Sequence, residues 1–303
     1  MQLPKGFLEG EIREGFYVES MMKRVWAAQI EVLHDVDYIC RKHNIQYFAD
    51  WGTLLGAVRH KGFIPWDDDM DITMKRPDYI KFCEIASHEM KGYDIVNIHT
   101  DLGWDMLITR IVNGKVISYN IDRMEKYHGC PWVIGLDIFP LDYVAPTDEE
   151  DEYHCQLQRI VEVFANTLES GEHDEEKIRE TALKIEEMFN VKFDYEKPLS
   201  TQLLKLAERL SMMYTEEESD KLALMPDHIG PRPLDVYPKE YYSDTIDVPF
   251  EYTTIPVPVG YDAILRQKYG DDYMQPRIGG GSHQYPFYMK QKREYYGQLG
   301  IKI

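Results

Sequence analysis

The order of helix-like and strand-like patterns between residues 17 and 139 constrains the fold of this chain most strongly. An apolar stripe that recurs every three or four residues predicts a helix over residues 17–43. The predicted strands then lie at 45–49, 69–74, 93–99, 106–112, 115–119 and 132–139, with helices at 54–59 and 77–90 between them and a hairpin turn at Asn113-Gly114. This order favours an α/β (α+β) protein with a mixed sheet flanked by helices, and it disfavours a purely parallel, doubly wound sheet.

The composition changes near residue 147, where a run of acidic residues begins. Residues 147–152 read Thr-Asp-Glu-Glu-Asp-Glu, and helix-forming residues dominate from there to about residue 220. We therefore expect a core with its N-terminal helix, then a helical insertion, then a C-terminal part that completes the core. The predicted boundaries are 1–146, 147–235 and 236–303.

Length and charge limit the kinds of partner. The chain has 303 residues and a formal net charge of −19, so it would repel nucleic acid, and no nucleic-acid partner is expected. The N-terminus lacks the pattern of a signal peptide, and no apolar run approaches the ~18 residues of a membrane span. Four cysteines are scattered without close pairing, as in a reducing compartment. We expect a cytoplasmic protein without a transmembrane segment, which contacts the inner face of a membrane only peripherally.

Four aspartates occur within residues 67–71, where only Met70 interrupts them. Like charges at this range repel one another, and burying them without a partner costs more still. Because Asp69 and Asp71 are two residues apart on the predicted strand, their side chains would project from one face. Such oxygen ligands suit Mg²⁺. A solvated acidic turn is the alternative, and the apolar residues that interleave the pair argue against it.

Candidate phosphate ligands precede the aspartates. Gly52 allows a close backbone approach, and Thr53 offers a hydroxyl and an N-cap for the predicted helix over 54–59. The N-terminus of a helix presents free N–H groups and a positive dipole end to a phosphate. Arg59 and Lys61 add two cations. Each residue alone is better explained as a cap or a surface charge, and the neighbouring aspartates reverse that balance in favour of a site.

Asp137 is a further acidic candidate, since it lies between Leu136 and Ile138 in an otherwise apolar predicted strand. A partly buried carboxylate beside a metal ion can bind that ion or accept a proton from an acceptor hydroxyl. Capping of a loop at the strand end is the alternative reading.

Aromatic side chains near the motif strands could bind a quaternary ammonium group, which is attracted to aromatic faces. Tryptophans beside strands are, however, more often core residues. The candidates are Trp51, Trp66, Trp104 and Trp132.

Three blocks of this sequence carry a resemblance to a known family. The first block contains Gly-Thr-Leu-Leu-Gly at 52–56, Arg-His-Lys-Gly-Phe-Ile-Pro-Trp-Asp-Asp-Asp at 59–69 and an aspartate two residues later. The second is Gly-Leu-Asp-Ile-Phe-Pro-Leu-Asp at 135–142, and the third comprises Phe250-Glu251 and residues 261–271. On these blocks the chain resembles the LicD family of phosphocholine transferases, outside roughly residues 150–235.

The resemblance implies a nucleotidyltransferase fold, in which a Gly-Ser/Thr turn precedes an acid-hydrophobic-acid strand and a later strand supplies a third acid. It implies a divalent metal ion, Mg²⁺ or Mn²⁺, and it leaves open whether Asp67 or Asp68 also binds it. The implied catalytic and metal-binding residues are Asp69, Asp71 and Asp137, and the implied substrate-binding residues are Gly52, Thr53, Arg59, Lys61 and Trp66.

The implied activity is transfer of phosphocholine from CDP-choline to a sugar hydroxyl of a glycan or lipid-linked glycan, with release of CMP. One alternative is transfer of ribitol or glycerol phosphate from a related CDP-alcohol, and another is a true nucleotidyltransferase reaction. The intact acids at 69, 71 and 137 argue against a non-catalytic binding module. A P-loop kinase is disfavoured because no Gly-x-x-x-x-Gly-Lys-Ser/Thr loop occurs.

Overall fold

The structure is a computed structural model that describes residues 1–169, 174–230, 236–278 and 285–301. A mixed sheet with helices around it forms an α/β protein, so the predicted fold class is confirmed. The chain divides into two compact units. The first comprises Met1–Ile95, Thr109–Phe139 and Tyr241–Ile303, and the second comprises Val96–Ile108 and Pro140–Glu240. The predicted boundaries at 147 and 235 remain a prediction.

The helices in chain order are α1 (Ser20–His43), α2 (Trp51–His60), α3 (Arg76–Glu89), α4 (Ile121–Lys126), α5 (Asp148–Glu169), α6 (Glu175–Phe189), α7 (Leu199–Ser211), α8 (Met225–His228), α9 (Tyr261–Tyr269) and α10 (Tyr288–Gln298). The strands are β1 (Glu11–Arg13), β2 (Phe16–Val18), β3 (Phe48–Ala49), β4 (Asp71–Lys75), β5 (Asp94–Val96), β6 (Thr109–Val112), β7 (Gly135–Tyr143), β8 (Lys221–Ala223), β9 (Val236–Pro238), β10 (Thr245–Phe250) and β11 (Thr253–Pro258). Across these described ranges, no helix is both long enough and apolar enough to span a membrane.

Helix α1 is the predicted helix over 17–43, with a later start. Residues 16–18 form β2 instead, which pairs with β1 in an antiparallel hairpin. The apolar face of α1 is fully buried around Trp26, and basic residues fill its last turn, where they complement the helix dipole. The helix ends at Asn44, whose left-handed conformation (φ 57°) turns its N–H back onto the carbonyls of the last turn.

The sheet of the first unit places Asp137 next to the segment that carries the aspartates at 67–71. Its strands follow the order β3-β4-β7-β6-β5. Strands β6 and β7 are antiparallel, and Arg110 stands directly opposite Asp137. The Asp137 amide donates to the carbonyl of Met70, at 3.1 Å, just before β4 begins. Strand β7 therefore brings the third predicted acid to the residues that carry the first two.

The predicted hairpin at Asn113-Gly114 is wrong. Residues 115–119 form no strand, and β6 pairs with β7 instead. The Asn113 amide donates to the carbonyl of Ile134 (3.0 Å), and its side-chain carbonyl accepts from the Ile134 amide (2.9 Å). Asn113 is thus a cross-strand anchor, which accounts for an asparagine at this position without a tight turn.

The second unit is mainly helical and has its own apolar core. Helices α5, α6 and α7 each turn an apolar face inward, as their helical spacing requires. Strand β8 pairs with the last two residues of β7 and with β9. The buried core residues contributed by the three helices include Val161, Ala165, Ile185, Leu203, Leu206, Ala207 and Leu210.

Candidate active site

Asp67, Asp68 and Asp69 lie in the loop between α2 and β4, and the strand begins only at Asp71. The prediction of a strand from residue 69 therefore starts two residues too early. Asp69 does not share a regular strand face with Asp71, although both belong to one acidic segment. We name residues 67–71 the acidic segment.

Helix α1 holds this loop by its backbone. The Trp26 indole N–H donates to the carbonyl of Asp67 (3.3 Å), and the Gln29 side-chain amide donates to the carbonyl of Asp68 (2.9 Å). One oxygen of the Asp68 carboxylate also accepts from the Phe287 amide at 2.5 Å. These contacts fix the loop from outside while its carboxylates converge.

Burial and mutual repulsion control the ionisation of the acidic segment. Burial first, and then the negative charge of Asp69, raise the pKa of Asp67 to about 8. Burial also raises the pKa of Asp71 well above its ordinary value, with further contributions from Asp69, Asp137, Asp67 and Asp50. The segment therefore resists full ionisation at neutral pH. A nearby divalent cation would reverse this, because it favours the charged carboxylates.

The donor atoms of the acidic segment fit a hard divalent cation. Carboxylate oxygens of Asp67, Asp68 and Asp69 all lie within 4.8 Å of one another. Mg²⁺ and Mn²⁺ prefer oxygen ligands, and the site offers no sulfur or nitrogen donor within this group. Asp67 and Asp68, which the sequence left open as metal ligands, thus belong to the same carboxylate cluster as Asp69.

The N-terminus of α2 differs from the prediction. The helix begins at Trp51, and Asp50 is its N-cap, with its carboxylate accepting from the Trp51 N–H (2.7 Å). The prediction of Thr53 as N-cap is wrong because the helix starts earlier. The Thr53 hydroxyl oxygen accepts instead from the Asp71 amide (2.8 Å), in the buried interior. Thr53 thereby ties α2 to the first residue of β4 and fixes the position of Asp71.

Two glycines of α2 allow close packing against the loop that follows. A Cβ atom at Gly52 would overlap the Asp67 carboxylate, far inside van der Waals contact. A Cβ atom at Gly56 would lie 2.5 Å from the backbone carbonyl oxygen of Gly62. Glycine at 52 is therefore a requirement of the carboxylate position, and glycine at 56 is a requirement of the backbone path.

Asp137 is held by a bidentate ion pair across the sheet. The Nε and Nη2 atoms of Arg110 each donate to a different oxygen of the Asp137 carboxylate, both at 2.5 Å. The pairing raises the pKa of the Arg110 guanidinium. Any contact of Asp137 with a metal ion or a hydroxyl would share its carboxylate with Arg110.

The two predicted phosphate-binding cations occupy different environments. The Arg59 guanidinium donates to the carbonyl of Tyr273 at 2.9 Å, and burial lowers its pKa. Lys61 ends α2 in the left-handed conformation (φ 56°), and its residue is exposed. Arg59 is therefore anchored to the chain beyond α9, while the Lys61 side chain faces solvent.

Glu251 clamps the segment between α2 and the aspartates. Arg13 donates to both of its carboxylate oxygens, at 2.5 and 2.9 Å, and the Phe63 amide donates to it at 3.1 Å. Its own amide donates to the carbonyl of Lys61 (2.7 Å). The tight β10–β11 turn that carries Glu251 thus fixes the residues that lead into the acidic segment.

The ring of Trp51 is in contact with a cationic side chain of the protein itself. The Lys268 ammonium lies 3.6 Å from the centroid of the Trp51 ring and 2.8 Å from a carboxylate oxygen of Asp50. Both charged side chains are 6% exposed. This buried pair connects α9 to the start of α2, and the ring face over which the ammonium lies is not open to a ligand.

The other three candidate tryptophans have separate environments. Trp132 stacks on Tyr288 with a centroid distance of 5.5 Å, and Trp104 belongs to the second unit. Trp66 is half-buried in the loop that leads to the acidic segment, and it lies edge-on to Phe16 at 6.2 Å. Trp66 is thus the predicted aromatic residue that lies nearest in sequence to the carboxylates.

Part of this chain matches a known protein family, and known proteins are similar to it. Residues 44–154 match the family model described as LicD/FKTN/FKRP, nucleotidyltransferase domain. The chain carries a LicD-family domain. The lipopolysaccharide cholinephosphotransferase LicD of Haemophilus influenzae is 28% identical over 252 residues, which cover 82% of this chain and 90% of that protein. An uncharacterized protein of Rickettsia prowazekii is 37% identical over 103 residues, 32% of this chain and 39% of that protein.

The LicD-family domain includes the acidic segment and Asp137, and the resemblance that the motifs indicated is confirmed. Sequence reasoning missed Asp50, Arg110 and Lys268 as neighbours of these acids. Asp50 lies two residues before Gly52, and Lys268 lies within the third resembling block, so their closeness to the motifs could have identified both. No such sequence feature marks Arg110, because its role depends on the register of β6 against β7.

Proposed function

We propose that this protein transfers phosphocholine from CDP-choline to a sugar hydroxyl of a cell-surface glycan or of its precursor, with release of CMP. The observation that carries the proposal is the similarity to the Haemophilus influenzae lipopolysaccharide cholinephosphotransferase, which extends over 90% of that protein. The converging carboxylates within the LicD-family domain support it, because transfer at phosphorus needs a site of this kind.

In this proposal Asp69 and Asp71 hold Mg²⁺ or Mn²⁺, and Asp67 and Asp68 are close enough to share it. A divalent ion bound there would neutralise the diphosphate of the donor. Thr53 acts on the site by fixing the Asp71 backbone, and Gly52 acts by leaving room for the Asp67 carboxylate. Most of the catalysis would come from positioning and electrostatics.

The sugar hydroxyl would attack phosphorus in line with the bond to CMP. The new bond joins the sugar oxygen to phosphorus, the bond from phosphorus to CMP breaks, and CMP leaves with the electron pair. Asp137 is the proposed acceptor of the hydroxyl proton, and Arg110 would orient its carboxylate for that role. Lys61, Arg59 and Trp66 are the proposed donor-binding side chains, with Lys61 the most accessible of the cations.

The remaining proposals concern the acceptor. Residues 147–235 would shape acceptor choice without taking part in the chemistry, since they lie mostly outside the family match. A lipid-linked glycan would bring the protein to the inner face of the membrane as a peripheral, cytoplasmic enzyme.

The test incubates the purified protein, Mg²⁺ and a cell-surface glycan as acceptor with CDP-choline, CDP-ribitol and CDP-glycerol in turn, and measures CMP release and the mass of the glycan product. We expect CMP from CDP-choline and a product heavier by phosphocholine, with loss of both in EDTA. CMP release from CDP-ribitol or CDP-glycerol alone would show that ribitol phosphate or glycerol phosphate is transferred, and not phosphocholine. A product that retains the nucleotide would identify a nucleotidyltransferase. Asp78→Asn is the matched control for aspartate substitutions, because Asp78 lies in the first turn of α3.

A further inference from the structure

A group of three chemically different ligands lies wholly within the second unit. Asp151 and Cys155 are four residues apart on α5 and therefore share one face of that helix. His228 is the last residue of α8. One ligand atom from each of the three lies within 4.8 Å of the other two. Two helices that are distant in sequence thus bring an oxygen, a sulfur and a nitrogen donor to one point.

The group is buried and tightly connected. The His228 Nε2 atom lies 2.9 and 3.0 Å from the two carboxylate oxygens of Asp151, and the Cys155 sulfur lies 3.9 Å from one of them. Cys155 and His228 are 5% and 6% exposed. The other ring nitrogen of His228, Nδ1, is buried and has no hydrogen-bond partner among the described residues. Because Nε2 is the nitrogen that faces the Asp151 carboxylate, it is the atom that can coordinate an ion, and Nδ1 would then carry the ring proton.

The donor set selects the class of metal. Sulfur and imidazole ligands suit Zn²⁺ and similar transition metals, whereas Mg²⁺ prefers oxygen alone. A thiolate, a carboxylate and a neutral imidazole carry two negative charges, which a divalent cation cancels, and a neutral group is the least costly one to bury. Asp151 is the most exposed of the three, at 20% of its side chain, so a water molecule can complete the coordination from that side.

We propose that Asp151, Cys155 and His228 form a zinc-class metal site that fastens α8 to α5. On binding, the Cys155 thiol releases its proton to solvent, the neutral His228 ring keeps its one proton on the nitrogen that does not coordinate, and the metal takes the vacated positions. Arg159 already makes a second link between the same helices, because its Nε and Nη2 atoms donate to the carbonyl of Ile229 at 2.9 and 2.7 Å. The site is structural, and it is chemically distinct from the all-oxygen cluster at Asp67–Asp69.

The first test uses the wild-type protein, with excess Mg²⁺ present to occupy oxygen sites. We expect one zinc ion per chain to remain after dialysis. Replacing it with Co²⁺ should produce a thiolate-to-cobalt charge-transfer band in the near ultraviolet. Saturating zinc should raise the melting temperature by about 5 °C. A protein that retains no zinc, gives no such band and melts at the same temperature with or without zinc would overturn the proposal.

The second test compares variants. Cys155→Ser should abolish the charge-transfer band, and His228→Gln should release the zinc on dialysis. Cys83→Ser is the matched control, because Cys83 belongs to the first unit, where its sulfur contacts Thr109. It should keep both the zinc and the band. If the zinc and the charge-transfer band persist in Cys155→Ser and His228→Gln, these residues do not bind the metal. The group would then be only an Asp–His ion pair beside a buried thiol. If these variants do not fold, the wild-type cobalt spectrum decides.

Discussion

Gly52→Ala tests whether the close packing of α2 positions the acidic segment for catalysis. To reach ordinary van der Waals distance from the new methyl group, the Asp67 carboxylate would have to retreat by about 1 Å. A misplacement of about 1 Å at a catalytic site costs on the order of a hundredfold in rate, or about 2.7 kcal/mol of transition-state stabilisation. The fold should survive, because Asp67 meets the methyl group with the end of its side chain, and alanine is favoured over glycine in a helix by up to about 1 kcal/mol.

Two other glycines calibrate the experiment. Gly297 lies in α10 with nothing within 4 Å of an added Cβ, so Gly297→Ala should leave both activity and the melting temperature nearly unchanged. Gly56→Ala would press on the backbone carbonyl of Gly62, which cannot rotate away, and should lower the melting temperature. The assay is CMP release from CDP-choline over a Mg²⁺ titration, with a thermal melt of each variant.

The expected pattern for Gly52→Ala is a near-normal melt, a large loss of CMP release and a higher Mg²⁺ requirement. A fully active Gly52→Ala enzyme with the wild-type Mg²⁺ requirement would refute the reasoning, because it would show that the site does not depend on the place of the Asp67 carboxylate. A variant that loses activity only because it unfolds would show that the position is needed for packing alone.

Three further predictions concern charge. Asp69→Asn and Asp71→Asn should each lower CMP release on the order of a thousandfold and raise the metal-free melting temperature, while Asp78→Asn keeps its activity. The pKa of Asp67 is raised to about 8, so the stability it contributes is present at acidic pH and lost as the pH rises through about 8. Melts in EDTA between about pH 5 and about pH 9 should show this loss, and a flat profile would contradict it. Glu251→Gln should lower the free energy of unfolding in urea by about 1–3 kcal/mol, because half-buried Arg13 loses its bidentate carboxylate partner and keeps only its ion pair with Glu11. An unchanged urea midpoint would show that the clamp contributes nothing.

Local patterns in the sequence were sufficient for individual elements. The apolar stripe over 17–43 predicted α1, which spans Ser20–His43. Carboxylate oxygens of Asp67, Asp68 and Asp69 lie close together, as expected for aspartates that are adjacent in the chain. These features depend on residues close together in the chain, where periodicity and charge spacing act directly.

Features that depend on pairing between distant residues could not be predicted in this way. Asn113 has a strong turn signal, yet its hydrogen bonds to Ile134 place it in a ladder. Asp137 looked like a metal ligand from its own strand, and only the register of β6 shows that Arg110 stands opposite it. A shift of one residue in that register would turn the Arg110 side chain to the other face of the sheet, and one sequence alone does not fix the register.

The carboxylates of the first unit differ in whether a cationic side chain lies beside them. Asp50 and Asp137 each have a cationic side chain at hydrogen-bond distance, Lys268 and Arg110. Asp71 is surrounded mainly by other carboxylates, and their charges raise its pKa further. A diphosphate donor brings more negative charge to a chain whose net charge is already −19. Because Lys268 and Arg110 are engaged with carboxylates of the fold, charge balance at the acidic segment supports the proposed divalent ion independently of the family resemblance.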